Sequence, residues 1–214
     1  MLNFAAQRTL KDMKKSDAIE TLNDIKEMME RSSKFKAISG LSIIIIGVLA
    51  SLAAAYIHFF IGDYTIDTPH KMRITVIIAV SLLVVSFLTV MLMSWAKAKR
   101  LQLRFTLDST LKRLLINFFV PLCAGGLFCI ALIMQQHYGL TSSVMLIFYG
   151  LALINSQQYT YKILKYLGYA ELVLGLIDCF LVNYALLTWF IGFGVLHIVF
   201  GIIFIIKYGK GGKS

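Results

Sequence analysis

The chain has 214 residues, of which 58% are hydrophobic and 15% charged, and its mean hydropathy is +0.78. This composition excludes an ordinary soluble domain, which needs a more polar surface, and is typical of an integral membrane protein. The net charge of +10 does not predict nucleic-acid binding, because the Lys and Arg residues lie almost entirely between apolar runs rather than in one basic surface.

Residues 1–35 form a charged segment before the first apolar run. Ser16 is a suitable N-cap, and apolar residues follow it at spacings of three and four, namely Ile19, Leu22, Ile25 and Met29. The pattern predicts an amphipathic cytoplasmic helix. Two roles stay open for this helix: lying on the membrane surface, or binding a cytoplasmic protein partner. We expect no cleaved signal peptide, because the charged segment is long and no A-x-A-like site follows.

Six apolar runs follow, most of them close to or above the roughly 20 residues that cross a hydrocarbon layer of ~30 Å. They are residues 37–61, 73–96, 114–135, 141–158, 166–185 and 187–207. The sequence therefore predicts an all-α transmembrane bundle of about six spans over residues 36–208, with a short basic tail at 209–214. Because the last three runs have uncertain boundaries, five spans with one re-entrant segment are the alternative.

The basic residues predict how these spans are oriented. Nineteen of the 21 Lys and Arg residues lie in the N-terminal segment, the second and fourth connections, and the C-terminal tail. With six spans, these four regions share one side of the membrane, and basic residues favour the cytoplasmic side. We therefore expect both termini to be cytoplasmic and the lipid bilayer to surround residues 36–208.

Glycines recur on single faces of the first, fifth and sixth predicted helices. At 100° per residue, each of these helices places two glycines within a narrow arc. Small residues let helix backbones approach closely in lipid. We therefore predict six helix-packing positions, which are Gly40, Gly47, Gly168, Gly175, Gly194 and Gly201.

Polar residues share these faces and form the candidate site. Asp178 and Glu171 lie on the glycine face of the fifth helix, and His197 lies on that of the sixth. A carboxylate within hydrocarbon must be paired, protonated or in contact with water. Since Asp178 and His197 are predicted at similar depths on adjacent antiparallel helices, we expect them to form a pair. The pair would either relay protons or be a purely structural hydrogen bond.

Glu171, Asn155 and His58 are predicted nearer the membrane surfaces than Asp178 and His197. Glu171 is expected toward the cytoplasm, level with Asn155, and the two would frame a polar vestibule. Cytoplasmic water or a tyrosine hydroxyl is the alternative partner of Glu171. Ser51 and His58 lie on the glycine face of the first helix, where His58 also fits a residue that reaches the outer interface.

No motif identifies a catalytic, metal or cofactor site. The sequence has no H-E-x-x-H motif, no P-loop and no G-x-S-x-G motif. Cys123, Cys129 and Cys179 lie within spans and lack the spacing of metal ligands. We therefore predict no catalytic residue, no metal and no cofactor, and regard an enzymatic activity as less favoured than transport or binding.

Four stretches resemble an uncharacterised family of bacterial six-span membrane proteins. The likeness runs from about residue 26 to the end and is carried by "MMERSSKFKAISGLSIIIIGVLA", "IFYGLALINSQQYT", "LGYAELVLGLID" and "IGFGVLHIVFGIIFIIKY". That family has no established activity, so the resemblance implies a topology and an inner-membrane location but no mechanism. Its frequent neighbourhood with small winged-helix regulators implies a signalling or stress-related role. The glycine spacing alone is also similar to that of bacterial acid-resistance membrane proteins.

From these features we expect a small channel- or transporter-like protein for protons or another small solute. Six helices leave little room for a wide pathway, so we expect a homo-oligomer. The alternative is a non-transporting scaffold or sensor that binds a cytoplasmic protein through residues 1–35. An intramembrane enzyme that uses the same carboxylates is a third, weaker hypothesis.

Overall fold

A computed structural model describes residues 38–61, 69–100 and 109–208, all within one compact unit, Phe35–Ser214. These ranges form six helices and no strand, which confirms the predicted all-helical fold. The helices are α1 (Gly40–Ile61), α2 (Pro69–Arg100), α3 (Ser109–Met134), α4 (Leu140–Tyr159), α5 (Ile163–Asp178) and α6 (Ala185–Tyr208). The predicted N-terminal helix at 1–35 and the tail at 209–214 lie outside the described residues.

Five of these helices are long and apolar enough to cross a membrane, so the chain is a multi-pass helical membrane protein. They are α1, α2 from Arg73 onward, α3, α4 and α6. The remaining helix, α5, has 16 residues and is about 24 Å long, shorter than a typical span.

The fifth predicted span, 166–185, differs from α5 at both ends. Helix α5 begins at Ile163 and ends at Asp178, where a turn follows in which the Leu181 N–H donates to the Asp178 carbonyl at 2.9 Å. The turn lets the chain reverse into α6. Its side chains are apolar, and Phe180 is 89% exposed, so hydrophobicity alone does not reveal where the helix ends.

Glycines on both partners let two pairs of helices pack closely. Between α1 and α6, a methyl group on Gly47 would lie 2.8 Å from the Gly194 carbonyl oxygen. Between α4 and α5, a methyl group on Gly168 would lie 2.8 Å from the Gly150 carbonyl oxygen. All six predicted packing glycines lie at these two interfaces, namely Gly40, Gly47, Gly168, Gly175, Gly194 and Gly201.

Helix α2 is the least buried of the six, and no residue of its most apolar window is buried. It is anchored near its end, where Lys97 Nζ donates to the Ile38 carbonyl at 2.7 Å and lies 5.5 Å from the centre of the Tyr161 ring. Burial, with Tyr208 nearby, raises the pKa of the Tyr161 hydroxyl above its ordinary value. These contacts join α2 to the start of α1 and to the connection between α4 and α5.

Candidate intramembrane polar site

Two carboxylates mark the candidate site. Glu171 and Asp178 are the two acidic residues within the described part of the chain, and each has 0% of its surface exposed. They lie seven residues apart on α5, so they share one face of the helix and are about 10 Å apart along its axis. This face packs against α4 and α6. The site therefore lies where three helices meet.

Asp178 accepts hydrogen bonds from hydroxyl groups on both neighbouring helices. Ser143 Oγ on α4 donates to Oδ2 at 2.9 Å, and Thr188 Oγ1 on α6 donates to Oδ1. All three side chains are buried. Asp178, Ser143 and Thr188 are called the Asp178 layer below. In this layer neutral donors satisfy one acceptor site on each carboxylate oxygen.

A second layer, the Glu171 layer, contains Glu171 with His197 of α6 and Tyr149 of α4. His197 Nδ1 lies 3.1 Å from the Gly192 carbonyl oxygen, and Nε2 lies 2.8 Å from the Tyr149 hydroxyl. A carbonyl oxygen can only accept, so Nδ1 carries a proton. Nε2 accepts from Tyr149 when the imidazole is neutral and donates to it when the imidazole is cationic.

The Glu171 carboxylate lies beside this histidine without a hydrogen bond. Oε1 is 3.3 Å from His197 Nδ1, within ion-pair distance, but the hydrogen bond of Nδ1 goes to Gly192. Neither oxygen has a hydrogen-bond partner among the described residues. A lone buried carboxylate is unfavourable. Two arrangements avoid an isolated charge: protonated Glu171 beside neutral His197, or ionised Glu171 beside cationic His197.

An irregular segment of α6 makes room for Glu171. Residues Phe190–Leu196 are π-helical, and a methyl group on Gly192 would lie 2.6 Å from Glu171 Oε2. Single π-helical segments often occur at functional sites, because the wider turn redirects side chains. Glycine at position 192 thus lets the carboxylate approach the α6 backbone.

The structure combines the predicted site residues differently from the sequence prediction. His197 contacts Glu171, whereas Asp178 contacts Ser143 and Thr188. The predicted Asp178–His197 pair is not formed. Asp178 and His197 lie at different levels along the helix axes, because α5 ends at Asp178 and α6 begins seven residues later. Thr188 therefore reaches the level of Asp178, and His197 lies nine residues, or about 13 Å, further along α6.

The other three candidates lie outside both layers. Asn155 is exposed on α4, six residues beyond Tyr149, so the predicted vestibule of Asn155 and Glu171 is not formed. Ser51 donates to the Gly47 carbonyl within α1 at 2.8 Å and packs against α6. His58 is half-buried in the π-helical end of α1, 5.0 Å from the Phe59 ring centre.

An open cleft of about 200 Å³ lies next to the Asp178 layer. Its mainly apolar walls come from α1, α2, α4 and α6, and they include Ser142 and Trp189. These residues are the chain neighbours of Ser143 and Thr188, so the cleft comes within one residue of the Asp178 layer on two helices. Ser142 Oγ donates to the Ala185 carbonyl at 2.9 Å, which links the starts of α4 and α6.

The sequence did not predict the hydrogen-bond partners of Asp178 and His197, which are Ser143 and Thr188 for Asp178, and Tyr149 and the Gly192 carbonyl for His197. A signal for the first three was present, since they are hydroxyl-bearing residues within the fourth and sixth apolar runs. Within the described ranges, no group of three or more His, Cys, Asp or Glu side chains could hold a metal ion. The side chains of the two layers carry carboxyl, imidazole and hydroxyl groups.

Comparisons of the chain with models of protein families, with curated proteins and with solved structures give no match. The resemblance to a six-span bacterial family stays a prediction.

Proposed function

We propose that this protein is a small channel- or transporter-like membrane protein that moves protons, alone or together with a small solute. The observation that carries the proposal is the Glu171 carboxylate, which is fully buried, has no hydrogen bond among the described residues, and lies 3.3 Å from His197 Nδ1. Intramembrane ionisable residues are rare, and in transport proteins they form proton relays.

The three side chains of the Glu171 layer can pass a proton from Tyr149 through His197 to Glu171. A proton that reaches Tyr149 displaces the hydroxyl proton onto His197 Nε2, which makes the imidazole cationic. When the Nδ1 proton of the cationic ring leaves the Gly192 carbonyl oxygen, it passes to the ionised Glu171 carboxylate at Oε1, 3.3 Å away, and the ring becomes neutral again with the proton on Nε2. The relay resets when Glu171 releases this proton to the opposite side of the membrane and the ring returns to the tautomer that carries its proton on Nδ1. Each step moves one proton between neighbouring helices, from α4 to α6 to α5.

We propose six spans in the inner membrane, with α5 as the short fifth span and both termini cytoplasmic. The distribution of Lys and Arg supports this orientation. A homo-oligomer is part of the proposal, in which the apolar window of α2, which has no buried residue, would contact lipid or a second copy. Residues 1–35 are proposed as the contact for any cytoplasmic protein.

Proton flux into liposomes that contain the purified protein tests the function. A potassium gradient with valinomycin sets the membrane potential, and a pH-sensitive dye inside the vesicles reports proton entry. We expect flux above protein-free vesicles, and we expect Glu171→Gln to reduce it at least tenfold, because the amide keeps the shape but cannot accept the proton. Size-exclusion chromatography checks the assembly of each variant.

Asn155→Ala is the matched control, because Asn155 is a polar residue of α4 outside both layers. Its flux should equal that of the unchanged protein. If the protein gives no flux above protein-free vesicles, the transport proposal is wrong. The scaffold or sensor hypothesis then takes its place.

A further inference from the structure

One buried leucine lies between the two polar layers. On α4, Leu146 follows Ser143 by three residues and precedes Tyr149 by three, so it lies midway between the hydroxyl partners of Asp178 and His197. None of its surface is exposed. Any path from the Glu171 layer to the Asp178 layer along this three-helix contact therefore passes Leu146.

The two helices that face Leu146 present glycines at this level. On α5, Gly175 lies between Glu171 and Asp178, and a methyl group on it would be 2.9 Å from Leu146 Cβ. On α6, Gly192 lies between Thr188 and His197, and a methyl group there would contact Leu146 Cδ2. Since glycines have no side chain, Leu146 packs directly against the backbone of both α5 and α6 at this level.

We propose that Leu146 is the specificity-determining residue of the transport pathway, an apolar barrier that keeps a water column from joining Glu171 to Asp178. This inference rests on the proposed function. An apolar constriction excludes water and hydrated ions, so a proton passes Leu146 only when one or two water molecules transiently bridge the layers. The Glu171 carboxylate, which lacks a hydrogen bond in the described structure, is the group such a water would contact first.

Leu146→Ala tests the barrier, because it removes three carbon atoms and leaves space for about one or two water molecules. Those waters have a polar partner in Glu171 Oε2, which lies 2.6 Å from the position of a methyl group on Gly192. We expect proton flux in liposomes to rise about tenfold, the change given by a barrier lower by about 1.4 kcal/mol. Leu146→Val removes less of the side chain, so its rise should be smaller, and it decides the question if Leu146→Ala does not assemble.

Leu132→Ala is the control, because Leu132 is also a buried leucine but lies on α3, a helix that contributes no side chain to either layer. Its flux should equal that of the unchanged protein. Adding Glu171→Gln to Leu146→Ala should remove the increase. If the increase in proton flux persists with Glu171→Gln, or if Leu132→Ala gives the same increase, the protein has a general leak. Either result would overturn the proposal that Leu146 is a barrier.

The outcomes separate this inference from the proposed function. Flux that depends on Glu171 but is unchanged by Leu146→Ala and Leu146→Val overturns the proposed role of Leu146 and leaves the proposed function in place. Absence of flux in the unchanged protein overturns the proposed function, and this inference with it, even where Leu146→Ala gives flux. Absence of flux in every variant overturns both.

Discussion

Gly192→Ala tests whether close approach of Glu171 to α6 positions the carboxylate. The added methyl group would lie 2.6 Å from Glu171 Oε2, whereas ordinary van der Waals contact begins at 3.4 Å, so one of the two must move by about 0.8 Å. The methyl group would also overlap Leu146. Overpacking of this kind typically costs about 1–3 kcal/mol. We therefore expect a lower midpoint of thermal unfolding and a proton flux reduced severalfold.

Gly126→Ala is a matched control for this prediction. Gly126 is also a helical glycine, on α3, but a methyl group there would have no atom within 4 Å apart from its own helix backbone and chain neighbours. Alanine stabilises a helix interior relative to glycine by about 0.5–1 kcal/mol, so the midpoint should stay unchanged or rise, with normal flux. Both variants are measured in the same detergent and the same liposomes. Equal midpoints and equal flux for the two alanine variants would show that close approach at Gly192 does not position Glu171.

Two further substitutions test the Asp178 layer and the anchor of α2. Asp178→Asn keeps the shape but turns one acceptor into a donor that faces Ser143 or Thr188. It should lower stability by about 1–3 kcal/mol, seen as a lower thermal midpoint, and an unchanged midpoint would contradict this account. Lys97→Met removes the hydrogen bond to the Ile38 carbonyl and should cost about 1–2 kcal/mol. Its flux should stay normal because Lys97 lies outside both layers, and loss of flux in an assembled Lys97→Met variant would show that the α2 anchor serves transport.

The helical membrane fold could be predicted from the sequence, because long apolar runs and the roughly 30 Å hydrocarbon layer leave few alternatives. The glycine faces could also be read, since a period of 3.6 residues places Gly40 with Gly47 and Gly168 with Gly175. A shared helix face predicts that its residues pack against a neighbouring helix, but it does not identify that helix. The partners of α1 and α5, namely α6 and α4, are seen only in the structure.

The pairing within the site could not be predicted, because it depends on where α5 ends. The apolar run continues past Asp178 without proline or glycine, so hydropathy does not mark the turn that ends α5. A shift of the boundary by seven residues moves a side chain by about 10 Å along the axis. The shift replaces the predicted contact of His197 with Asp178 by the observed contact with Glu171. The π-helical segment that contains Gly192 is likewise invisible in the apolar sequence.

In the proposed relay, Glu171 and His197 act on the same proton. Proton flux in liposomes tests this for Glu171→Gln, His197→Gln and the double variant, each checked for assembly. If both residues belong to one relay, each single substitution reduces flux, and the double variant is no slower than the slower single variant. If the fold-reduction of flux in the double variant equals the product of the two single reductions, the two residues act independently and do not share one proton. Normal flux in either single variant would show the same.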